Sequence, residues 1–496
     1  MNKEYNIGYD LGSSSLKVAI VDSITGENIL SINEPKGEMS IISQQADWAE
    51  QNPDDWWDFV CIATRRALKE SKIKSSDIKA IGISYQMHGL VVIDKNKKSL
   101  RNSIIWCDSR AVNIGEKAFK DLTPKKCTNK LLNSPANFTA SKLKWIKDNE
   151  PEIFERIYKF MLPGDYIALK LSDKISTTSN GLSEGIFWDY ESNTVANWLL
   201  DYFKFDKSIV PDIVENFTNQ CFVSKKASTE TGLPEGIPIT YRAGDQPNNA
   251  LSLNIFNNGE VAATGGTSGV IYAITNNKKS NEASRINHFA HVNYSKNNPS
   301  IGKLLCINGA GIMYRWLRNQ SSAISYEDMN SEASKIPIGS EGLIILPFGN
   351  GAERMLDNSN IGTQFCNINL NQHSKAHLFR AALEGIAFSF VYGMEILKND
   401  NAEIKVIRAG NDNLFRSEIF ANTLSTLIGY EIEIYNTTGA VGAARAAGLI
   451  DKDFSRFGKN ISENDHVMTF KPIENKTPYH NAYQNWKIEL DKHIKK

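Results

Sequence analysis

At 496 residues the chain is too long for one compact core, and at roughly 100–200 residues per domain it predicts two or three domains. Its 56 Lys plus Arg equal its 56 Asp plus Glu, so net charge gives no general attraction to nucleic acid or acidic membrane and points to a small-molecule partner. Cys61, Cys107, Cys127, Cys221, Cys306 and Cys366 are scattered without a CxxC pair and read as reduced thiols. The opening MNKEYNIGYD has no apolar leader and no run approaches the ~18–20 apolar residues of a membrane span, so the expected compartment is the cytoplasm.

In chain order, residues 5–11 alternate and read as a strand, with 17–22 as its return. Gly12-Ser13-Ser14-Ser15 forms the tight turn between them. Asn52-Pro53-Asp54-Asp55 then begins a helix, with Asn as the cap, Pro at the first position and acids in the first turn. Residues 78–84 (IKAIGIS) form a buried strand, which completes an α/β layer. Asn254, Asn257, Asn258 and Gly259 mark a loop, so the predicted domains are 1–250 and 251–496. Beyond it, strand 260–264, turn Gly265-Gly266-Thr267-Ser268-Gly269 and strand 270–274 repeat the shape of the opening. A long buried helix over 379–397, strands over 404–409 and 431–435, an amphipathic helix over 415–427 and a small-residue helix over 441–449 follow, before a basic tail, DKHIKK. Two α/β domains, each offering a small-residue hairpin tip, are expected to face one another across a ligand cleft.

Phosphoryl transfer needs a cradle for phosphate oxygens, a metal to spread their charge and a base beside the accepting hydroxyl. Asp10 with Gly12, Ser13, Ser14 and Lys17 offers one cradle: the glycine admits close approach, the turn donates to phosphate, and Asp10 can hold Mg²⁺ through water. The same residues also fit a polar surface hairpin. Gly266, Thr267 and Ser268 offer the second cradle. In RAGDQPNNA, Gly244 projects Asp245 from a strand end as a candidate general base, with a helix cap as the plainer reading. Gln86, Met87 and His88 follow the IKAIGIS strand, where ligands bind in open α/β sheets. Trp106 and Asp108 follow a second apolar run and suit a polyol, although a core Trp with a structural Asp108–Arg110 pair fits equally.

These segments, in this order, resemble the FGGY family of carbohydrate kinases along almost the entire chain. YDLGSSSLK resembles its first phosphate motif, AIGISYQMHGLVVID its sugar-contact segment, AGDQPNNA the segment of its catalytic Asp, GGTSG its second phosphate motif and RAGNDNLFRS its adenosine motif. Thr139, Lys142, Trp145, Asp148 and Asn149 match most of one family signature, and His377, Leu378 and AALEG most of another. The resemblance implies two actin-like, ribonuclease-H-like α/β domains around an interdomain catalytic cleft. It implies phosphorylation of D-xylulose to D-xylulose 5-phosphate by ATP and Mg²⁺, with Asp245 as base and Asp10 positioning Mg²⁺–ATP. Met87 and His88 would touch the sugar, Gly410 and Asn411 the adenosine, and a homodimer is a family-level expectation. Gln246 stands where Asn is usual, which leaves another ketose or a polyol open as substrate. Asn137, Thr363, Asn367 and the stretched adenosine motif are further departures. An ATP-switched sugar sensor without turnover is the alternative from another class.

Overall fold

The computed structural model describes residues 3–323 and 325–494. Met1, Asn2, Lys495 and Lys496, at the ends of the opening and tail read above, lie outside the described residues. Two large sheets organise the chain. The first is built from β1 (Tyr5–Leu11), β2 (Leu16–Asp22), β3 (Asn28–Glu34), β4 (Ile78–Tyr85), β5 (Cys221–Phe222) and β6 (Pro238–Gly244), in the order β5-β6-β4-β1-β2-β3. The second is built from β7 (Glu260–Gly265), β8 (Gly269–Thr275), β9 (Asn287–Ala290), β10 (Ile301–Ile307), β11 (Val406–Gly410), β12 (Ile432–Tyr435) and β13 (His466–Phe470), in the order β9-β10-β8-β7-β11-β12-β13.

The two sheets share one plan. In the first, β3, β2 and β1 run as an antiparallel meander, β4 and β6 join in parallel, and β5 closes antiparallel. In the second, β10, β8 and β7 form the meander, β11 and β12 join in parallel, and β13 closes antiparallel. The likeness read between the two strand–turn–strand segments therefore extends through six strands. Central parallel strands are covered on both faces, which is why β4 is buried at every position but Lys79.

Eight helices position the site. They are α1 (Pro53–Ser71), α2 (Ser179–Glu184), α3 (Asp245–Ser252), α4 (Gly311–Ser321), α5 (Lys375–Asn399), α6 (Glu418–Ile428), α7 (Gly439–Ala447) and α8 (Thr477–Ile494). The N-terminus of α1 follows its sequence signals: Asn52 accepts the Asp54 amide at 3.2 Å and Pro53 is the first helical residue. Three helix starts differ from the sequence reading, the helix expected from 441 beginning at Gly439. The helix expected from 415 begins at Glu418, because residues 413–416 form a tighter turn and Ser417 caps the helix through the Phe420 amide. The helix expected from 379 begins at Lys375, where Ser374 and His377 form a reciprocal cap.

Helix α7 belongs to the late chain but packs on the first sheet, against β1, β2, β4 and β6, and on α3. Gly8 and Gly82 face each other in register on β1 and β4. A Cβ on Gly8 would fall 2.2 Å from the Ala440 carbonyl oxygen, and one on Gly82 would fall 1.9 Å from that of Ala443. The two glycines thus make a lane that lets the helix backbone lie on the strands, and Ala440, Ala443 and Ala444 keep the helix side thin. Gly82→Ala is expected to lower stability by on the order of 1–3 kcal/mol in urea unfolding. Gly37→Ala, where an added Cβ meets nothing within 4 Å, is the matched control and is expected to be close to neutral.

Candidate active site

The carboxyl ends of β1, β4 and β6 lie side by side. In register, Asp10 stands beside Ser84 and Leu11 beside Tyr85, while Gly244 also stands beside Tyr85. Parallel strands at their ordinary spacing put Asp10 and Asp245 about 10 Å apart across the sheet, with β4 between them. The Ser84 hydroxyl donates to Asp10 Oδ1 at 2.7 Å. The other carboxylate oxygen of Asp10 meets the start of α7: a Cβ on Gly439 would come within 2.4 Å of Oδ2. A carboxylate at a helix N-terminus is favoured by the helix dipole.

Asp245 is the first residue of α3, after Gly244 at the cap position. Burial and then the negative charge of Asp10 push its carboxyl up to about 7, although the amides at the helix start and the Gln246 side chain hold it down in part. A carboxyl that titrates near neutrality can take up a proton and release it again. Helix α3 also ties the cleft together, since Asn248 donates to the Gly439 carbonyl at 2.9 Å and Asn249 to the Thr264 hydroxyl at 3.1 Å.

The segment after β4 forms the floor. The Gln86 amide donates to the Leu11 carbonyl at 2.7 Å and its side-chain Nε2 to Gln51 Oε1 at 3.0 Å. Gln51 in turn donates to the Ser13 carbonyl at 2.7 Å, so it links the first turn to the floor. Met87 is buried over Gly244. His88 adopts a left-handed φ of 62° and sits between the rings of Phe138 and Phe289, at 4.7 and 5.2 Å. Its Nδ1 donates to the Glu184 carbonyl at 3.0 Å, which leaves Nε2 as the acceptor. Burial holds the ring neutral by lowering its pKa to about 3. Beneath it, buried Lys142 donates to the His88 and Ile105 carbonyls, both at 2.9 Å.

Trp106 and Asp108 stand differently. Trp106 is 52% exposed. Asp108 is fully buried, with its carboxylate accepting the Ala49 amide at 2.6 Å and the Arg110 guanidinium at 2.6–2.9 Å. This is the structural Asp–Arg pair left open by the sequence, seated 3.8 Å above the Trp48 ring.

The two hairpin tips supply backbone polar groups. Gly12 donates to the Ser15 carbonyl at 3.0 Å, closing the first turn, and Lys17 is exposed beside it. On the loop after β11, burial pushes the Asp412 carboxyl up, while the charges of Arg416 and Lys17 hold it down in part. In the second tip, the Gly266 and Thr267 carbonyls accept the Gly311 and Ile312 amides at the start of α4. Gly266 and Thr267 line a cavity of about 290 Å³ together with Tyr314, Tyr326, Asn413 and Arg416. Ser268 continues the same turn, and Gly410 ends β11 with Asn411 directly after it, just before the cavity wall formed by Asn413. A larger hollow of about 480 Å³ beside α5 and α8 contains none of the predicted site residues.

Two further residues at the floor have no local sequence signal. Gln51 lies just before the cap of α1, and Glu184 ends a small-residue helix. Only burial and long-range contact distinguish them.

Models of the N-terminal and C-terminal domains of the FGGY family of carbohydrate kinases match residues 5–252 and 261–449. The chain belongs to this family and is a sugar kinase with the two-domain, actin-like α/β fold. It is 27% identical over 457 residues to a xylulose kinase of Bacillus subtilis, covering 90% of this chain and 88% of that one. It is 28% identical over 455 residues to a probable L-xylulose kinase of Haemophilus influenzae, covering 89% and 90%. The solved structure of xylulose kinase from Rhodospirillum rubrum superposes with a TM-score of 0.89 at 22% identity, covering 99% of this chain and 100% of that one. Among the described residues no helix is long and apolar enough to cross a membrane.

Raising a carboxyl from its ordinary 3.8 to about 7 has a consequence for stability. Between those values the folded chain holds a proton that the unfolded chain has lost, so this group's contribution falls as pH rises through the window. Asp245→Asn is therefore expected to be more stable than the native chain at pH 8, by on the order of 1–3 kcal/mol. The gain should vanish near pH 4, as measured by urea unfolding across pH.

Proposed function

We propose that the chain transfers the γ-phosphoryl group of ATP to a hydroxyl of xylulose, giving xylulose 5-phosphate and ADP. The observation that carries this reading is Asp245, which stands at the end of β6 beside the sugar-contact floor with a carboxyl poised near neutrality. Asp245 accepts the proton of the attacking hydroxyl as that oxygen bonds to phosphorus and the bond to the ADP oxygen breaks. Gln86, Met87, His88 and Gln246 hold the sugar: neutral polar groups meet its hydroxyls and the thioether packs on its carbon face. Amides of the first tip (Gly12, Ser13, Ser14) and second tip (Gly266, Thr267, Ser268), with Lys17, hold the phosphates. The cavity beside Gly410 and Asn411 takes the adenosine. Asp10 fits a divalent cation, since it faces the cleft opposite a second carboxylate and its other partners are a hydroxyl and a helix start. When bound there, Mg²⁺ spreads the charge of the phosphate oxygens.

The handedness and identity of the sugar rest on Gln246 and on relatives of nearly equal identity that carry the names xylulose kinase and probable L-xylulose kinase. ADP release with Mg²⁺–ATP, measured across D- and L-xylulose, D- and L-ribulose, xylitol, D-arabitol and glycerol, tests the assignment. A preference for D-xylulose is expected, whereas a preference for another sugar overturns the substrate. With the preferred sugar, Asp245→Asn should lower kcat by roughly 10²–10⁴-fold. In the native chain kcat/KM should fall below pH about 7, because protonated Asp245 cannot take the hydroxyl proton.

A further inference from the structure

Glu184 has no part in the chemistry above, yet its carboxyl lies beside the base. Its side chain is 3% exposed, and among the described residues neither carboxyl oxygen has a hydrogen-bond partner of ordinary geometry. Buried polar groups are nearly always paired, and an orphan is costly to keep unless something completes it. Gln86 Oε1, on the same floor, is orphaned too.

Its position narrows what completes it. A Cβ on Gly244 would fall 2.9 Å from Glu184 Oε2 and 2.4 Å from Met87 Cγ, so the carboxyl and the thioether side chain both lie on the backbone just before Asp245. Oε2 is 3.9 Å from His88 Nδ1, whose proton goes to the Glu184 backbone carbonyl. Glu184 therefore lies against both segments assigned to the sugar, 86–88 and 244–246. Met87 lies beside it over Gly244, and an unbranched thioether side chain repacks readily. Burial, with the charges of Asp245 and Asp165, favours the protonated acid, although Tyr85 beside it pulls the other way. A protonated carboxyl donates one hydrogen bond and accepts another, as a sugar hydroxyl does. An ammonium would need the carboxylate that these surroundings disfavour.

We propose that Glu184 is a sugar-binding, specificity-determining residue whose carboxyl, with Met87 turned aside, hydrogen-bonds a substrate hydroxyl other than the one facing Asp245. The proposal rests on the sugar-kinase reading of the cleft. It sets one of the requirements that a substrate must meet: a hydroxyl at that second position.

The test uses the native chain, Glu184→Gln and Glu184→Ala with the preferred sugar and its monodeoxy analogues. Turnover is read as ADP release, and binding is read separately by calorimetry without ATP. A site built to bond a hydroxyl rejects the analogue lacking it, so one deoxy sugar should lose about 100-fold or more in kcat/KM with the native chain. Glu184→Ala should raise KM for the parent sugar about tenfold while kcat changes little, and should no longer distinguish parent from that analogue. Glu184→Gln keeps shape and hydrogen-bonding capacity and should fall between the two, which keeps the test open if the alanine variant does not fold. Native-like discrimination among all the deoxy sugars by both variants overturns the proposal. Loss of discrimination in calorimetry from a chain that never releases ADP supports Glu184 and overturns the kinase reading alone.

Discussion

The packing of α7 on the glycine lane of β1 and β4 is the constraint on which the rest of the molecule depends. It returns the late chain to the first sheet, so the two sheets are linked by more than the single connection that follows α3. The contact is between backbones, and its tolerance is correspondingly narrow: carbonyl oxygens of Ala440 and Ala443 occupy the space where side chains on Gly8 and Gly82 would stand. Polar ties hold the helix along its length. Thr240 of β6 donates to the Ala447 carbonyl at 2.8 Å, and Arg445 donates to the Gly26 carbonyl at 2.7 Å while pairing with Asp465. The same seating brings the start of α7 against Asp10. The interaction that joins the halves is thus also the one that sets the field at the first carboxylate.

Beside that helix start the cleft works against folding. Asp10 and Asp245 share it, and the burial and then the Asp10 charge that make Asp245 basic enough to accept a proton near neutrality work against its carboxylate at higher pH. Glu184 adds a buried carboxyl that, among the described residues, has Tyr85 beside it but no hydrogen bond of ordinary geometry, and His88 is held in left-handed backbone with a neutral ring. Strain and unpaired polar groups at one place are the mark of a site shaped for something other than stability. The frame that tolerates them is conventional: apolar strands, Trp56 and Trp57 of α1 packed over the first sheet, and the Asp108–Arg110 pair stacked on Trp48.

Local chemistry made the frame legible. Alternation marked β1 and β2, Asn52-Pro53 marked α1, and the glycine-rich tips marked both hairpins. Boundaries shifted where capping competes with periodicity, as at Ser417 and Ser374, because a hydroxyl that bonds an amide starts the helix wherever it sits. The strand-end candidates were legible as well, since Asp10, Gln86 and Asp245 each follow an apolar run. Register then placed their segments side by side, which spacing alone does not give. Asp108 shows the opposite case. Its aromatic and basic neighbours in sequence suited a polyol, but a guanidinium two residues away is equally a buried ion-pair partner. Gln51 and Glu184 were silent, because their roles come from contacts across 35 to 96 positions of chain.

The shared sheet plan shows how the chemistry is divided. Asp10, one residue before the end of β1, corresponds in the second sheet to Thr264, one residue before the end of β7. Gly244-Asp245 at the end of β6 corresponds to Tyr435-Asn436 at the end of β12. Each acid of the first sheet therefore has a neutral counterpart in the second. Carboxylates at those two strand ends would repel a polyphosphate held as proposed, whereas Thr264 and Asn436 carry no charge there. In the proposed reaction the acids of the first lobe would stand one beside the phosphate charge that a cation offsets and one beside the hydroxyl that loses its proton. A single frame used twice can thus separate gripping from reacting by changing two residues at equivalent strand ends, with no change in the strands that carry them.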